Sequence, residues 1–229
     1  YSAKEINFFD CFLVGLFAAL GFLSKYLFVY LLISIDILFV YLIFYKKNKK
    51  FDFKYLISIE VFIILLIPHL IWLNNNDYIT ITYGLKRTGL EGSSNLDHLK
   101  FPIIFLVKQM ALLIPFAILV KLLIKRIKFR INLKDKKLLF LIFINIIPIL
   151  LMLITAIITG SRIRTMWMTP FYLFFGVMVV YIFQSQIDLK RIKLFLSGFI
   201  FLFFLSPILY SYISVKQTDK RTDYPGKEI

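Results

Sequence analysis

Residues 8–45 form one nearly unbroken apolar run of Leu, Ile, Phe, Val, Ala, Gly and Tyr, with Lys25 in its middle. As a single helix, roughly 38 residues would reach about 57 Å. The hydrocarbon core of a bilayer is only about 30 Å thick. The run is therefore too long for one span and suits two. A lysine at the membrane centre costs about 2.5–3.5 kcal/mol, and placing Lys25 at the turn between two spans removes most of that cost. Residues 21–26 then form a hairpin tip at a membrane face, with an ammonium placed among aromatics to meet a lipid phosphate.

The rest of the chain has the same character. It is 60% hydrophobic over 229 residues with a mean hydropathy of +0.82, far more apolar than a soluble domain requires. The composition specifies an all-α, polytopic transmembrane helix bundle. The net charge of +15 would suggest nucleic acid in a soluble protein. Here the basic residues gather in short loops between apolar segments, as membrane topology demands, and nucleic acid is excluded as a partner. The single cysteine, Cys11, rules out an intramolecular disulfide and reads as a small packing residue in a span.

About seven spans are expected, at 9–24, 26–45, 55–73, 102–124, 138–158, 166–184 and 193–213. Basic clusters at Lys46–Lys54, Lys125–Lys137 and Lys190–Lys193 fall on one side of this arrangement, the cytoplasmic side by the positive-inside rule. The opposite face then carries Lys25, a polar loop over 74–101, the short turn 159–165 and the tail from 215. The 74–101 loop is longer than a simple connection needs, which points to function. Residues 1–229 are expected to be one transmembrane domain, and 215–229 the start of a C-terminal extracytoplasmic segment. The chain starts at Tyr1 without an initiator Met and without a signal peptide, and reads as the middle of a longer protein. Heavy use of Ile, Lys, Phe and Asn points to an AT-rich genome and a bacterium, hence to the inner (plasma) membrane with the active face extracytoplasmic.

Ionisable residues in or beside a span mark function by default. His69, Lys108, Arg162 and Arg164 all fall near the face that carries Lys25, with Lys86 and Arg87 joining from the loop. This cationic set suits a lipid phosphate: arginine grips it through paired donors and lysine acts as a point charge. Arg162 and Arg164 serve equally well as ordinary interfacial anchors that snorkel to water. Asp36 and Glu60 fall on the other half of the membrane, as packing groups or as the proton-binding pair of a transporter. No P-loop, dinucleotide turn, HExxH or Cys/His metal spacing is present, so no cofactor is evident and no metal site is assigned.

Four stretches carry a family resemblance. Leu20-Gly21-Phe22-Leu23-Ser24-Lys25-Tyr26 resembles the glycine-rich LG-x-LSKY segment of the GT-C fold glycosyltransferases of family 39, the group of the protein O-mannosyltransferases and the lipid A aminoarabinose transferases. Pro68-His69-Leu70-Ile71-Trp72-Leu73-Asn74 resembles its P-x-x-x-W-N span end. Phe105-Leu106-Val107-Lys108-Gln109 with Pro115 resembles its F-L-x-x-Q span. Residues 161–170, from Ser161 to Pro170, resemble its outer turn, although Met166 stands where the family often has His. Residues 220–228 are similar to the beginning of its C-terminal extracytoplasmic part.

The resemblance implies sugar transfer from a polyprenyl-phosphate donor to a lipid, glycan or protein acceptor at the extracytoplasmic face. It implies donor-phosphate contacts from Lys25, Arg162, Arg164, Lys108 and His69, and a pocket shaped by the aromatics Tyr26, Trp72, Tyr83 and Trp167. The family's catalytic Asp lies in a first extracytoplasmic loop, upstream of Tyr1, so no catalytic residue is expected in this stretch and the stretch alone is expected to be inactive. The competing reading is a secondary transporter or lipid flippase that uses Asp36 and Glu60.

Overall fold

The computed structural model describes residues 7–46, 52–88, 94–128 and 131–216. Lys47, Lys49 and Lys50 of the first basic cluster, Arg130 of the second and the 217–229 tail lie outside the described residues. Among those described, the regular elements are helical: α1 (Phe8–Ser24), α2 (Val29–Val40), α3 (Tyr55–Asn75), α4 (Ile79–Thr88), α5 (Asp97–Leu123), α6 (Lys136–Asn145), α7 (Ile147–Thr159), α8 (Phe175–Phe183) and α9 (Ile192–Lys216). Five stretches are long and apolar enough to cross a bilayer: Tyr26–Tyr45, Tyr55–Asn75, Asp97–Leu123, Lys136–Thr159 and Leu189–Lys216. Thr165–Tyr172 with Phe175–Gln186, bent by 53°, makes a sixth if counted as one span, while the apolar α1 is shorter, at 17 residues. Six of the seven expected spans coincide with these five spans and the bent pair, and the first, 9–24, falls on α1, which is too short to be counted with them.

The chain forms two compact units, one from residues 1–109 and 131–182, the other from 110–130 and 183–229. In the first, α1 ends at Lys25, whose extended backbone (φ −160°, ψ 116°) breaks the apolar run where the charge requires it. A 3₁₀ turn, Tyr26–Phe28, then leads into α2. Helix α1 buries Cys11, Gly15 and Ala19, one per turn. This small-residue stripe lets α3 approach closely, the packing expected where lipid supplies no hydrophobic drive between helices. A Cβ at Gly15 would lie 2.5 Å from the Ser58 carbonyl oxygen, and the Ser58 hydroxyl donates to the Cys11 carbonyl at 2.8 Å. With Phe22 against Phe62 further along, α1 and α3 run in the same direction.

A core of Phe105, Met152, Met168 and Phe171, packed against Leu27, Tyr30 and Ile163, joins α5, α7 and the Thr165–Tyr172 segment to the start of α2. The Lys136–Thr159 span is interrupted at Asn145–Ile146: Pro148 has no N–H for the Ile144 carbonyl, and buried Asn145 turns its amide back onto the Leu141 carbonyl at 2.7 Å. Asp135 caps α6, accepting from the Lys137 N–H and from the Tyr181 hydroxyl. Lys46 Nζ reaches the Leu133 carbonyl at 2.9 Å at this end of the unit.

In the second unit the end of α5 pairs with the chain that leads into α9. The Lys125 N–H donates to the Gln186 carbonyl (3.3 Å), the Gln186 side-chain amide bonds both backbone polar groups of Lys128 (2.6 Å each), and the Asp188 N–H donates to the Leu123 carbonyl (3.2 Å). Large apolar side chains on α9, such as Phe201, Phe203 and Phe204, are more than 60% exposed. Such a surface is unsustainable in water and natural against lipid.

Three expected boundaries shift. The 74–101 stretch contains α4 and the first turn of α5. Two consecutive left-handed residues, Asp77 (φ 49°) and Tyr78 (φ 53°), reverse the chain between α3 and α4. Helix α5 begins at Asp97, five residues before the expected 102, because the Asp97 carboxylate accepts from both the N–H and the hydroxyl of Ser94 (2.9 and 3.1 Å) and caps the extra turn. The sixth expected span is 3₁₀ over its first half, where Pro170 interrupts regular α-helical bonding.

Candidate functional site

The segment between α7 and the Thr165–Tyr172 turn organises the site. Gly160 takes the left-handed conformation that ends α7 (φ 63°), a backbone angle that suits glycine. The Thr159 hydroxyl bonds Ser161 Oγ at 2.8 Å. The chain then runs without helix through Arg164, which is extended (φ −80°, ψ 134°), and the Arg162 N–H donates to the Thr88 carbonyl at the end of α4 (2.8 Å). Alternation along an extended segment sends neighbouring side chains to opposite sides. Ser161 is buried and Ile163 half-buried, while Arg162 and Arg164 are exposed.

Two cavities flank this strip. One, of about 660 Å³, is cationic: Arg162, Arg164 and Lys108 line it together with Lys86 and Arg87 of α4, and the one carboxylate among the lining residues is Asp97. Lys108 reaches it because Asp97, Phe101 and Lys108 recur along one face of α5. The other, of about 570 Å³, is mostly apolar and is lined by Phe22, Tyr26, Leu73, Met152, Ile163 and Trp167 among others. Thr88 and Ile163 border both cavities, so the two adjoin. Helix α4 is their common wall. Thr80, Gly84 and Thr88, at i, i+4 and i+8, face the apolar cavity with Ile81 and Leu85, while Lys86 and Arg87 face the cationic one.

The expected cationic set therefore divides. Arg162, Arg164 and Lys108 come together. Lys25 is half-buried at the apolar cavity, where it is the one charged side chain among the described lining residues, and its Nζ donates to the Trp167 carbonyl at 3.2 Å. His69 lines neither cavity and works as a brace: Tyr26 Oη bonds His69 Nε2 (2.7 Å) and Thr80 Oγ1 (2.8 Å), and the His69 ring stacks on Trp72 at 5.8 Å. Three elements, the turn after α1, α3 and α4, meet at that one phenol. Of the expected aromatics, Tyr26 and Trp167 line the apolar cavity. Trp72 is exposed beyond His69, and Tyr83 is exposed and accepts a hydrogen bond from Arg87 at 3.2 Å. Asp36 and Glu60 are exposed on α2 and α3 and line neither cavity.

Sequence reasoning missed Thr80, Thr88 and Ser161 as site residues. The available signal was the pairing of Ile81 with Leu85 and of Thr80 with Gly84, each one helical turn apart within an apparent loop. His98, in the first turn of α5, ties α5 to the end of α7 through its ring nitrogen and the Ile157 carbonyl (2.8 Å).

Residues 3–72 match the family described as dolichyl-phosphate-mannose-protein mannosyltransferase. The matched stretch includes Lys25, Tyr26, His69 and Trp72 and ends before the residues of the cationic cavity. Neither the curated proteins nor the solved structures gave a match to the chain.

Proposed function

We propose, for a chain whose residues 3–72 match the dolichyl-phosphate-mannose-protein mannosyltransferase family of GT-C glycosyltransferases, that it moves a sugar from a polyprenyl-phosphate donor to an acceptor at the extracytoplasmic face. The observation that carries this reading is the junction of a five-cation cavity with an apolar one across Thr88 and Ile163. A lipid-phosphate sugar is an anion joined to an apolar chain, and the paired cavities match both halves.

In the reaction the bond from the sugar's anomeric carbon to the phosphate oxygen breaks, and a bond to the acceptor oxygen forms. The leaving phosphate gains negative charge as its bond lengthens. Cations held beside it before reaction stabilise that charge without reorganising. Arg162 and Arg164, side by side on the same strip, offer forked donors to two phosphate oxygens, and Lys108, Lys86 and Arg87 add charge. The acceptor hydroxyl gives its proton to a general base, the role that the family resemblance assigns to an Asp. A protein acceptor, the one in the matched family's description, is the first to test. Tyr26, through His69 and Thr80, holds α4 over the site.

Sugar transfer from a radiolabelled polyprenyl-phosphate donor, measured in proteoliposomes, tests the assignment. Arg162→Gln with Arg164→Gln should lower kcat/KM at least about a hundredfold, near 2.7 kcal/mol, with expression retained. Unchanged kcat/KM in that variant would refute the phosphate role of this strip.

A further inference from the structure

A second cationic pocket lies in the other unit and is lined by none of the residues of the two cavities above. It has a volume of about 570 Å³ and is lined by Lys121 near the end of α5, Lys125 just past it, Arg191 just before α9, and apolar residues that include Ile118, Leu122, Ile127 and Leu194. No carboxylate lines it; the nearby Asp188 turns its side chain onto the Lys190 N–H at 3.0 Å. Arg191 is half-buried, and one arm of its guanidinium donates to the Ile124 carbonyl at 2.8 Å. That bond fixes the group and leaves the remaining donors of its five N–H groups for another acceptor. Three positive charges around one pocket repel each other unless an anion joins them.

The mixed lining adds a second observation. Toward the end of α5, Lys121 sits between Ile118 and Leu122, Lys125 follows just past the helix, and Leu194 lines the pocket from the first turn of α9. Cations and apolar side chains thus share one pocket at the basic end of an apolar span, where a phospholipid brings its phosphate beside the start of its acyl chains. The structure assigns this pocket to the phosphate headgroup of an anionic glycerophospholipid from the surrounding bilayer, bound at the opposite end of α5 from Asp97.

Native mass spectrometry of the full chain in detergent, titrated with phosphatidylglycerol or phosphatidylcholine, tests it. Phosphatidylglycerol should bind at least about tenfold more tightly. Lys121→Gln with Lys125→Gln, which leaves the Arg191–Ile124 bond in place, should reduce that preference to about threefold or less. Lys134→Gln with Lys136→Gln, an equal loss of charge elsewhere, should leave it intact. Equal loss in both double variants would reduce the preference to net charge and overturn the site. Displacement of phosphatidylglycerol by millimolar inorganic phosphate would also overturn it, because the pocket would then be a free-phosphate site.

Discussion

At the residue scale, the charge that interrupts the first apolar run is also the charge of the apolar cavity. Lys25 ends α1 by its cost in the membrane, and its Nζ is aimed across the unit at the Trp167 carbonyl. Lys25→Ala in the full protein should lower sugar transfer at least about tenfold, near 1.4 kcal/mol, without loss of expression; near-normal transfer would remove Lys25 from the site. Asp135 gives a pH-dependent prediction. The Tyr181 hydroxyl and the Lys137 N–H, both donating to its carboxylate, hold its pKa below the usual range. A depressed carboxyl pKa stabilises the fold above the unfolded value of about 3.9, and that contribution is lost as pH falls through the folded value. Thermal unfolding of the wild type should therefore lose more stability between pH 5 and pH 3 than that of Asp135→Asn. Parallel losses would show that the cap carries no linked proton. The residues legible in the sequence were those whose charge conflicts with lipid: Lys25, Lys108, Arg162 and Arg164. Thr80, Thr88 and Ser161 were not, because a small hydroxyl is ordinary on any helix and gains meaning only from what stands opposite.

At the element scale, the α1–α3 contact and α4 make separate predictions. Gly15→Ala drives a Cβ to 2.5 Å from a backbone oxygen and 2.9 Å from the Val61 Cβ, and should cost about 1–3 kcal/mol in thermal or denaturant unfolding. Gly84→Ala meets nothing within 4 Å and should be neutral or stabilising by up to about 1 kcal/mol. Similar effects from the two would contradict the close approach of α1 to α3. Tyr26→Phe removes the hydroxyl bond to Thr80 of α4 and the one that braces it on His69 of α3, so amide exchange in α4 should quicken by about fivefold, roughly 1 kcal/mol of local opening, while exchange in α5 and α7 stays unchanged. The long apolar helices were legible because a 20-residue apolar stretch has few alternatives in a bilayer. Helix α4 was not, since its first four residues alternate Ile and Thr like a strand, and the helix is tied at Thr80 to Tyr26 and at Thr88 to Arg162. The bend in the sixth span was carried only by Pro170, whose effect depends on what the freed carbonyls meet.

At the scale of the whole molecule, membrane residence follows from apolar length alone, whereas the division of the site into a cationic and an apolar cavity does not. That division arises where an extended strip alternates Ser161, Arg162, Ile163 and Arg164 beside a helix with two unlike faces. The family match ends at residue 72, before the strip and α4. The central claim is that the paired cavities receive a lipid phosphate by its charge and its chain together. The most direct test is equilibrium binding of polyprenyl phosphate to the full chain in nanodiscs, against the polyprenol of the same length that lacks the phosphate. Polyprenyl phosphate should bind at least about a hundredfold more tightly, and Arg162→Gln with Arg164→Gln should erase most of that difference. Equal affinity for phosphate and alcohol, or a difference that survives the double substitution, would contradict the account.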